Sequence, residues 1–303
     1  MSNKNLSILF TGQGSQFPEM GIEFASEVSW VRERYQLSSD ILGYDVLKKQ
    51  ENPDLLNLTE YSQPSIFIYS SILIDFMRDK IKSSGSNIIL AGHSLGEYSA
   101  LYFANSLIFE DMLRVVKFRG EAMSIVSDPA KYMMYAILKK EDQIIDNSIF
   151  GNGVYLANLN SDKQVVICGL RDELENFKTK HPLGKYIPLN VSAPFHSELM
   201  IDSSNLFEKK IRNIVFKDVE SDVISNHMLI NYKNISKNEY SSQLKVQIHS
   251  PVMWSDTTQK IISMNADNFI EIGPKKTLLN FIPKSFAGEK IAITNKEEVE
   301  NYV

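Results

Sequence analysis

Ile88-Ile89-Leu90-Ala91-Gly92-His93-Ser94-Leu95-Gly96-Glu97 is the stretch that decides the fold of this 303-residue chain. Its first four residues are apolar and read as a strand buried on both faces. They run straight into a Gly-x-Ser-x-Gly turn, and Glu97–Ala104 continues with helical character. A serine set between strand and helix in this way sits in a strained elbow whose flanking residues must be small. Gly92 and Gly96 meet that need. The helix that follows aims its N-terminal N–H groups and positive dipole end toward the serine, where they favour an oxygen gaining negative charge. Ser94 is therefore the candidate nucleophile of an acyl-transfer reaction.

Upstream, Leu6–Phe10 is a second short apolar run that stops at Thr11-Gly12-Gln13-Gly14-Ser15-Gln16, a strand passing into a glycine-rich loop. From Pro64 to Lys82, apolar residues fall at helical spacing so densely that the helix should be largely buried; Ser83-Ser84-Gly85-Ser86 ends it. Downstream the pattern is strand Met133–Leu138, acidic helix Glu141–Ile149, strand Val154–Leu159, strand Gln164–Gly169, helix Asp172–Lys180 and strand Tyr186–Val191. This βαββαβ order is ferredoxin-like. With Ser127-Asp128-Pro129 and Ser192-Ala193-Pro194 as flanks, it predicts a small subdomain at 129–192 inserted into a larger α/β body made of 1–128 and 193–303. Phe269–Gly273 is expected as a late strand of that body. The Lys- and Asn-rich tail after Pro283 is weakly patterned and expected to be partly mobile.

Composition narrows the function classes. The net charge of −5 gives no reason to expect nucleic-acid or anionic-membrane binding. No apolar run approaches the roughly 20 residues of a membrane span, and the N-terminus lacks the apolar core of a secretory signal, so a cytoplasmic protein is expected. A lone cysteine excludes an internal disulfide and a cysteine metal cluster. Cys168 lies in a strand-like run and reads as core filler.

Serine needs a base within hydrogen-bond reach. Of the five histidines, His93 adjoins Ser94 and should diverge from it, and His181 sits at the polar end of the small subdomain. His196 lies in the proline-shaped loop Val191-Ser192-Ala193-Pro194-Phe195-His196-Ser197, where the chain re-enters the large body. It is the best candidate, although placement alone does not separate it from a structural loop histidine.

Taken together, Gly12–Gln16, Tyr61-Ser62-Gln63-Pro64, Gly92–Ala100, Phe118–Met123, Asn158-Leu159-Asn160 with Gln164–Ile167, Ala193–Ser197, Gln247–Trp254 and Glu271–Pro274 resemble the malonyl-CoA:acyl carrier protein transacylases and the acyltransferase domains of polyketide and fatty-acid synthases. The eight segments run in the family's order across about nine-tenths of the chain. The resemblance implies an α/β-hydrolase-like large subdomain with an inserted ferredoxin-like small one, in agreement with the pattern above. It implies Ser94 as nucleophile, His196 as base, the backbone N–H groups of Gln13 and Leu95 as oxyanion hole, and the main-chain carbonyl of Gln247 as the group that orients the histidine. It therefore implies no catalytic Asp.

Arg119, which would otherwise read as a surface arginine on a helix, is implied as the two-pronged partner of the malonate carboxylate, a geometry guanidinium matches and lysine does not. His93, Gln63, Asn160 and Phe195 join it as implied substrate-binding residues. In the polyketide acyltransferases, an aromatic at the position of Phe195 goes with malonyl and a serine with methylmalonyl. Thr11 and Phe195 depart from many housekeeping members and look more like free-standing acyltransferases that serve polyketide assembly lines. The implied reaction takes malonyl from coenzyme A and delivers it to the phosphopantetheine thiol of an acyl carrier protein. No bound cofactor, no metal and a monomeric state are expected. An editing thioester hydrolase shares the serine and histidine but has no use for a carboxylate clamp, and a non-catalytic docking protein has no use for any of the three.

Overall fold

In the computed structural model, which describes residues 4–140, 147–191 and 193–302, the strands separate into two sheets. In chain order the strands are β1 (Asn5–Phe10), β2 (Asn87–Gly92), β3 (Tyr132–Lys139), β4 (Val154–Ser161), β5 (Gln164–Leu170), β6 (Gly184–Pro188), β7 (Asp222–Ile224), β8 (Asn268–Ile272) and β9 (Lys290–Ile293). The first sheet is parallel throughout, in the order β7-β2-β1-β8-β9. Its central strand β1 is covered on both faces, so the successive residues Ile8, Leu9 and Phe10 are all buried without alternation. β1 and β2 lie side by side and end together, which brings the glycine-rich loop and the serine turn to the same edge.

The second sheet is antiparallel, in the order β4-β5-β3-β6, as a βαββαβ chain requires. Here the period of two is plain. Met133, Tyr135 and Ile137 pack with Leu174 and Phe177 of the helix Arg171–Lys180. Met134 and Ala136 face the other way and wall a cavity shared with the parallel sheet's loops. Two hydrogen bonds tie β4 of this sheet to the segment at Val252 in the large body, Leu159 N–H to Val252 O at 2.8 Å and Val252 N–H to Ala157 O at 2.9 Å.

Three elements differ from expectation. The buried helix begins at Thr59, not Pro64, because its first turns bury the polar side chains of Ser62 and Gln63, which an apolar pattern does not register. The expected helix over Glu141–Ile149 falls mostly outside the described residues; Asn147–Ile149 form a 3-10 turn. The tail after Pro283 is ordered: β9 pairs with β8, and the helix Lys296–Tyr302 buries Val299. A four-residue edge strand and one apolar helical residue are too short for periodicity to reveal. Among the described residues no helix is long and apolar enough to cross a membrane.

Candidate active site

Ser94 sits at φ 51°, in the left-handed region that side chains rarely adopt. The turn is possible because of its glycines. A Cβ on Gly92 would lie 1.9 Å from the carbonyl carbon of Gly96, and one on Gly96 would lie 2.0 Å from the carbonyl oxygen of Phe10. The elbow is braced from behind by Glu97, a buried carboxylate that accepts from the Asn226 backbone N–H (2.9 Å), from Asn226 Nδ2 (2.6 Å) and from the Tyr232 hydroxyl (2.5 Å). Asn226 Nδ2 also donates to Gly92 O at 2.7 Å.

His196 reaches the serine from 102 positions downstream, with its Nε2 2.7 Å from Ser94 Oγ. Its backbone is also left-handed, at φ 61°, so both facing residues are held in conformations that cost energy and that the surrounding structure must enforce. His196 Nδ1 faces two carbonyls, Gln247 O at 3.0 Å and Ser250 O at 3.2 Å. Both can only accept, so Nδ1 carries the hydrogen and Nε2 is left to accept from the serine hydroxyl. Gln247 lies in the last turn of the helix Tyr240–His249 and Ser250 caps it. Carbonyls there have no intrahelical donor, and the helix's negative dipole end points at the ring. A helix terminus thus stands where other triads place a carboxylate.

Arg119 completes the group. It is 1% exposed, and its Nη2 donates to Ser94 Oγ at 3.0 Å and to Gln247 Oε1 at 3.0 Å, while Nη1 donates to Gln63 Oε1 at 2.8 Å. The guanidinium is thus hydrogen-bonded directly to the serine oxygen.

A cavity of about 530 Å³ opens in front of Ser94 and His196. Its walls are the glycine-rich loop, the inner face of the antiparallel sheet and Phe195. His93 diverges from the serine: its Nε2 meets Asn160 Oδ1 at 2.9 Å, and Asn160 Nδ2 donates to Gln164 Oε1 at 2.7 Å. His93, Asn160 and Phe195 line the cavity, whereas Gln63 and Arg119 are not among its lining residues. A Cβ on Gly12 would come within 2.3 Å of His93 O and 3.6 Å of Leu95 N, so the loop presses on the elbow. Neither the Gln13 nor the Leu95 amide meets a protein acceptor among the described residues. Two free N–H groups beside an activated hydroxyl can hold the oxyanion of a tetrahedral intermediate.

Residues 8–301 match the family model for the acyl transferase domain. The chain belongs to this acyltransferase family. It is 34% identical over 272 residues to a malonyl CoA-acyl carrier protein transacylase of Synechocystis, covering 89% of this chain and 90% of that one. The Synechocystis malonyl-CoA:ACP transacylase crystal structure superimposes with a TM-score of 0.87 at 31% identity, covering 98% and 99% of the two chains. A malonyl-transacylase solved in complex with its type II polyketide synthase acyl-carrier protein matches with a TM-score of 0.87 at 27% identity, covering 98% of each chain. The polyketide biosynthesis protein ThaF of Burkholderia thailandensis is 34% identical over 286 residues, which cover 92% of this chain; the chain spans 24% of the length of ThaF.

The electrostatics of this acyltransferase centre favour neutral imidazoles. Burial, then the charge of Arg119, push His196 down to about 3 against the opposing pull of its two carbonyl partners. Burial also lowers His93 and His227. Histidines in the unfolded chain titrate near 6.5. A ring with a lower folded value binds fewer protons when folded, so stability is complete above about pH 6.5 and is lost as pH falls below it. Each buried ring adds a slope of up to about 1.4 kcal/mol per pH unit. Urea midpoints measured from pH 7 to pH 4 should fall steadily, and His196→Gln should flatten the slope.

Reading the sequence did not find Ser250, Asn226 or Tyr232, nor the side-chain role of Gln247. The available signal for Ser250 was Pro251, which cannot continue a helix and so marks free carbonyls just before it. Asn226 and Tyr232 carry no local signal. Cys168 is fully buried and burial pushes its thiol up to about 12, so it is inert.

Proposed function

We propose that this acyltransferase takes a malonyl group from malonyl-CoA onto Ser94 and hands it to the phosphopantetheine thiol of an acyl carrier protein, supplying fatty-acid or polyketide synthesis. One observation carries the reading: a single hydroxyl oxygen is held at once by an imidazole that can take its proton and by a buried guanidinium. His196 Nε2 accepts the serine proton as Oγ attacks the thioester carbonyl. The oxyanion is held by the Gln13 and Leu95 amides. Its collapse expels the coenzyme A thiolate, which takes the proton from His196. As the donor binds, Arg119 gives up its hydrogen bond to Oγ and pairs with the malonyl carboxylate, a contact kept through the attack. The carrier thiol then enters and gives its proton to His196 as its sulfur attacks the ester carbonyl; collapse of this second intermediate breaks the C–Oγ bond, Ser94 Oγ takes the proton back from His196, and coenzyme A and malonyl-carrier have left in a ping-pong order. The similarity to the Synechocystis malonyl CoA-acyl carrier protein transacylase and to the malonyl-transacylase solved with its acyl-carrier protein supports this substrate and this partner.

The test is a mixture of malonyl-, methylmalonyl- and acetyl-CoA offered with a phosphopantetheinylated carrier protein, read by mass. Malonyl-carrier should dominate. Release of free malonate without carrier loading would show a hydrolase instead. Phe195 lines the cavity beside His196, and on the reading proposed here its ring takes the volume a 2-methyl branch would need. Since one methyl is worth roughly 1–3 kcal/mol in such a pocket, Phe195→Ser should raise methylmalonyl relative to malonyl loading about tenfold in the same assay.

A further inference from the structure

Among the described residues every hydrogen-bond acceptor of Arg119 is neutral: the amide oxygens of Gln63 and Gln247 and the hydroxyl of Ser94. Glu97 is close enough to act on the guanidinium electrostatically, yet it spends its oxygens on Asn226 and Tyr232. The Arg119 Nε–H and the Tyr98 hydroxyl are buried without a partner of good geometry, although the phenol also acts on the charge, with its ring centroid 5.2 Å from Cζ. A buried cation without a carboxylate on its donors is expensive. A chain selected only for stability would have placed an anion or an apolar residue there.

The approach of Gln63 is built in. Gly120, beside Arg119 on the helix Phe109–Ser124, has no Cβ; one would lie 3.2 Å from Glu60 Cα and Thr59 O. The two helices therefore close up, and Gln63, one turn on from Thr59, meets the guanidinium. Gln63 Nε2 makes only a long contact to Gln13 Oε1 (3.5 Å) and a weak one to Met123 Sδ (3.5 Å), so the short bond of this amide is the one its Oε1 accepts from Arg119. From the other side Gln247 links three parts of the site. Its Oε1 accepts from Arg119, its Nε2 donates to Ser94 O at 3.0 Å, and its carbonyl holds His196.

We infer that the side-chain amides of Gln63 and Gln247 are specificity-determining: they aim Arg119 through neutral acceptors only, which leaves its positive charge for the carboxylate of the incoming acyl group. The inference rests on the malonyl reading above and adds to it a cause for the selectivity. Glutamate has the shape of glutamine but would hold a permanent negative charge against the guanidinium. Gln63→Glu would supply internally what malonyl supplies from outside, repelling the malonyl carboxylate. It would also relieve the repulsion between Arg119 and a protonated His196, which helps a neutral acyl group load.

The experiment compares kcat/KM for acyl-enzyme formation from malonyl-CoA and from acetyl-CoA in the full chain. Gln63→Glu should lower the malonyl-to-acetyl ratio about 100-fold, the scale of losing a charge-assisted pair, with acetyl loading raised above wild type. Gln63→Leu removes the acceptor without adding charge and should lower the ratio less than about tenfold. Gln247→Glu makes the same exchange from the opposite side, so that failure of one glutamate variant to fold leaves the other to decide. A ratio kept within about threefold in a folded glutamate variant, or an equal fall in Gln63→Leu, would overturn the inference. A wild-type protein with no malonyl preference would overturn the malonyl reading itself.

Discussion

Ser94→Ala should abolish the proposed acyl-enzyme and lower carrier malonylation by about 10⁶-fold, the scale on which loss of a catalytic serine acts in triad enzymes. The substitution removes the oxygen that, among the described residues, alone touches both His196 Nε2 and Arg119 Nη2. It leaves the free amides and the cavity in place, so donor binding should survive and the loss should fall on turnover. His196→Ala should cost about as much, and the double variant scarcely more than either, because the two act as one unit. Steady-state rates of malonyl-carrier formation, with donor affinity measured separately, check each of these.

The second large effect concerns Arg119→Ala. Two charge-assisted hydrogen bonds to a carboxylate are worth roughly 3–6 kcal/mol together, so malonyl loading should fall at least about 100-fold while acetyl loading changes far less. Removing the side chain also strands the amide oxygens of Gln63 and Gln247 in a buried hole, a cost borne by both donors alike. Arg119→Lys should not restore selectivity, because an ammonium cannot engage Gln63, Gln247 and a carboxylate from one planar fork. Parallel loading rates from malonyl- and acetyl-CoA decide the matter; an equal loss for both would remove the proposed role.

What the sequence disclosed about this site followed from how local its causes are. The elbow could be read from ten residues, since strand, glycines and helix are adjacent and each constrains the next. The antiparallel sheet could be read because its strands alternate and its helix Arg171–Lys180 is amphipathic. Arg119 was legible as a site residue only through family resemblance. Its burial depends on Gly120 letting a second helix close in, a fact that lies 56 positions away in Gln63. The same holds for the Glu97 brace, whose partners are 129 and 135 residues downstream. Buried polar residues give no periodicity signal, which is why both the early start of the helix at Thr59 and the glutamine contacts to Arg119 went unread.

The helix terminus behind His196 has a consequence for acid–base chemistry. Carbonyls and a dipole end fix the tautomer but stabilise an imidazolium less than a buried carboxylate does. Arg119 opposes that imidazolium further. On the malonyl reading, base strength and substrate recognition would meet at one guanidinium, and a donor with a free carboxylate would improve both together.

The most direct measurement maps the adduct itself: the protein is mixed with malonyl-CoA in the absence of carrier, quenched in acid, digested and sequenced by mass. The account predicts malonyl on the peptide containing Ser94, discharged when a carrier thiol is added before the quench. Malonyl on any other residue, or transfer to the carrier at full rate without a serine adduct, would contradict it.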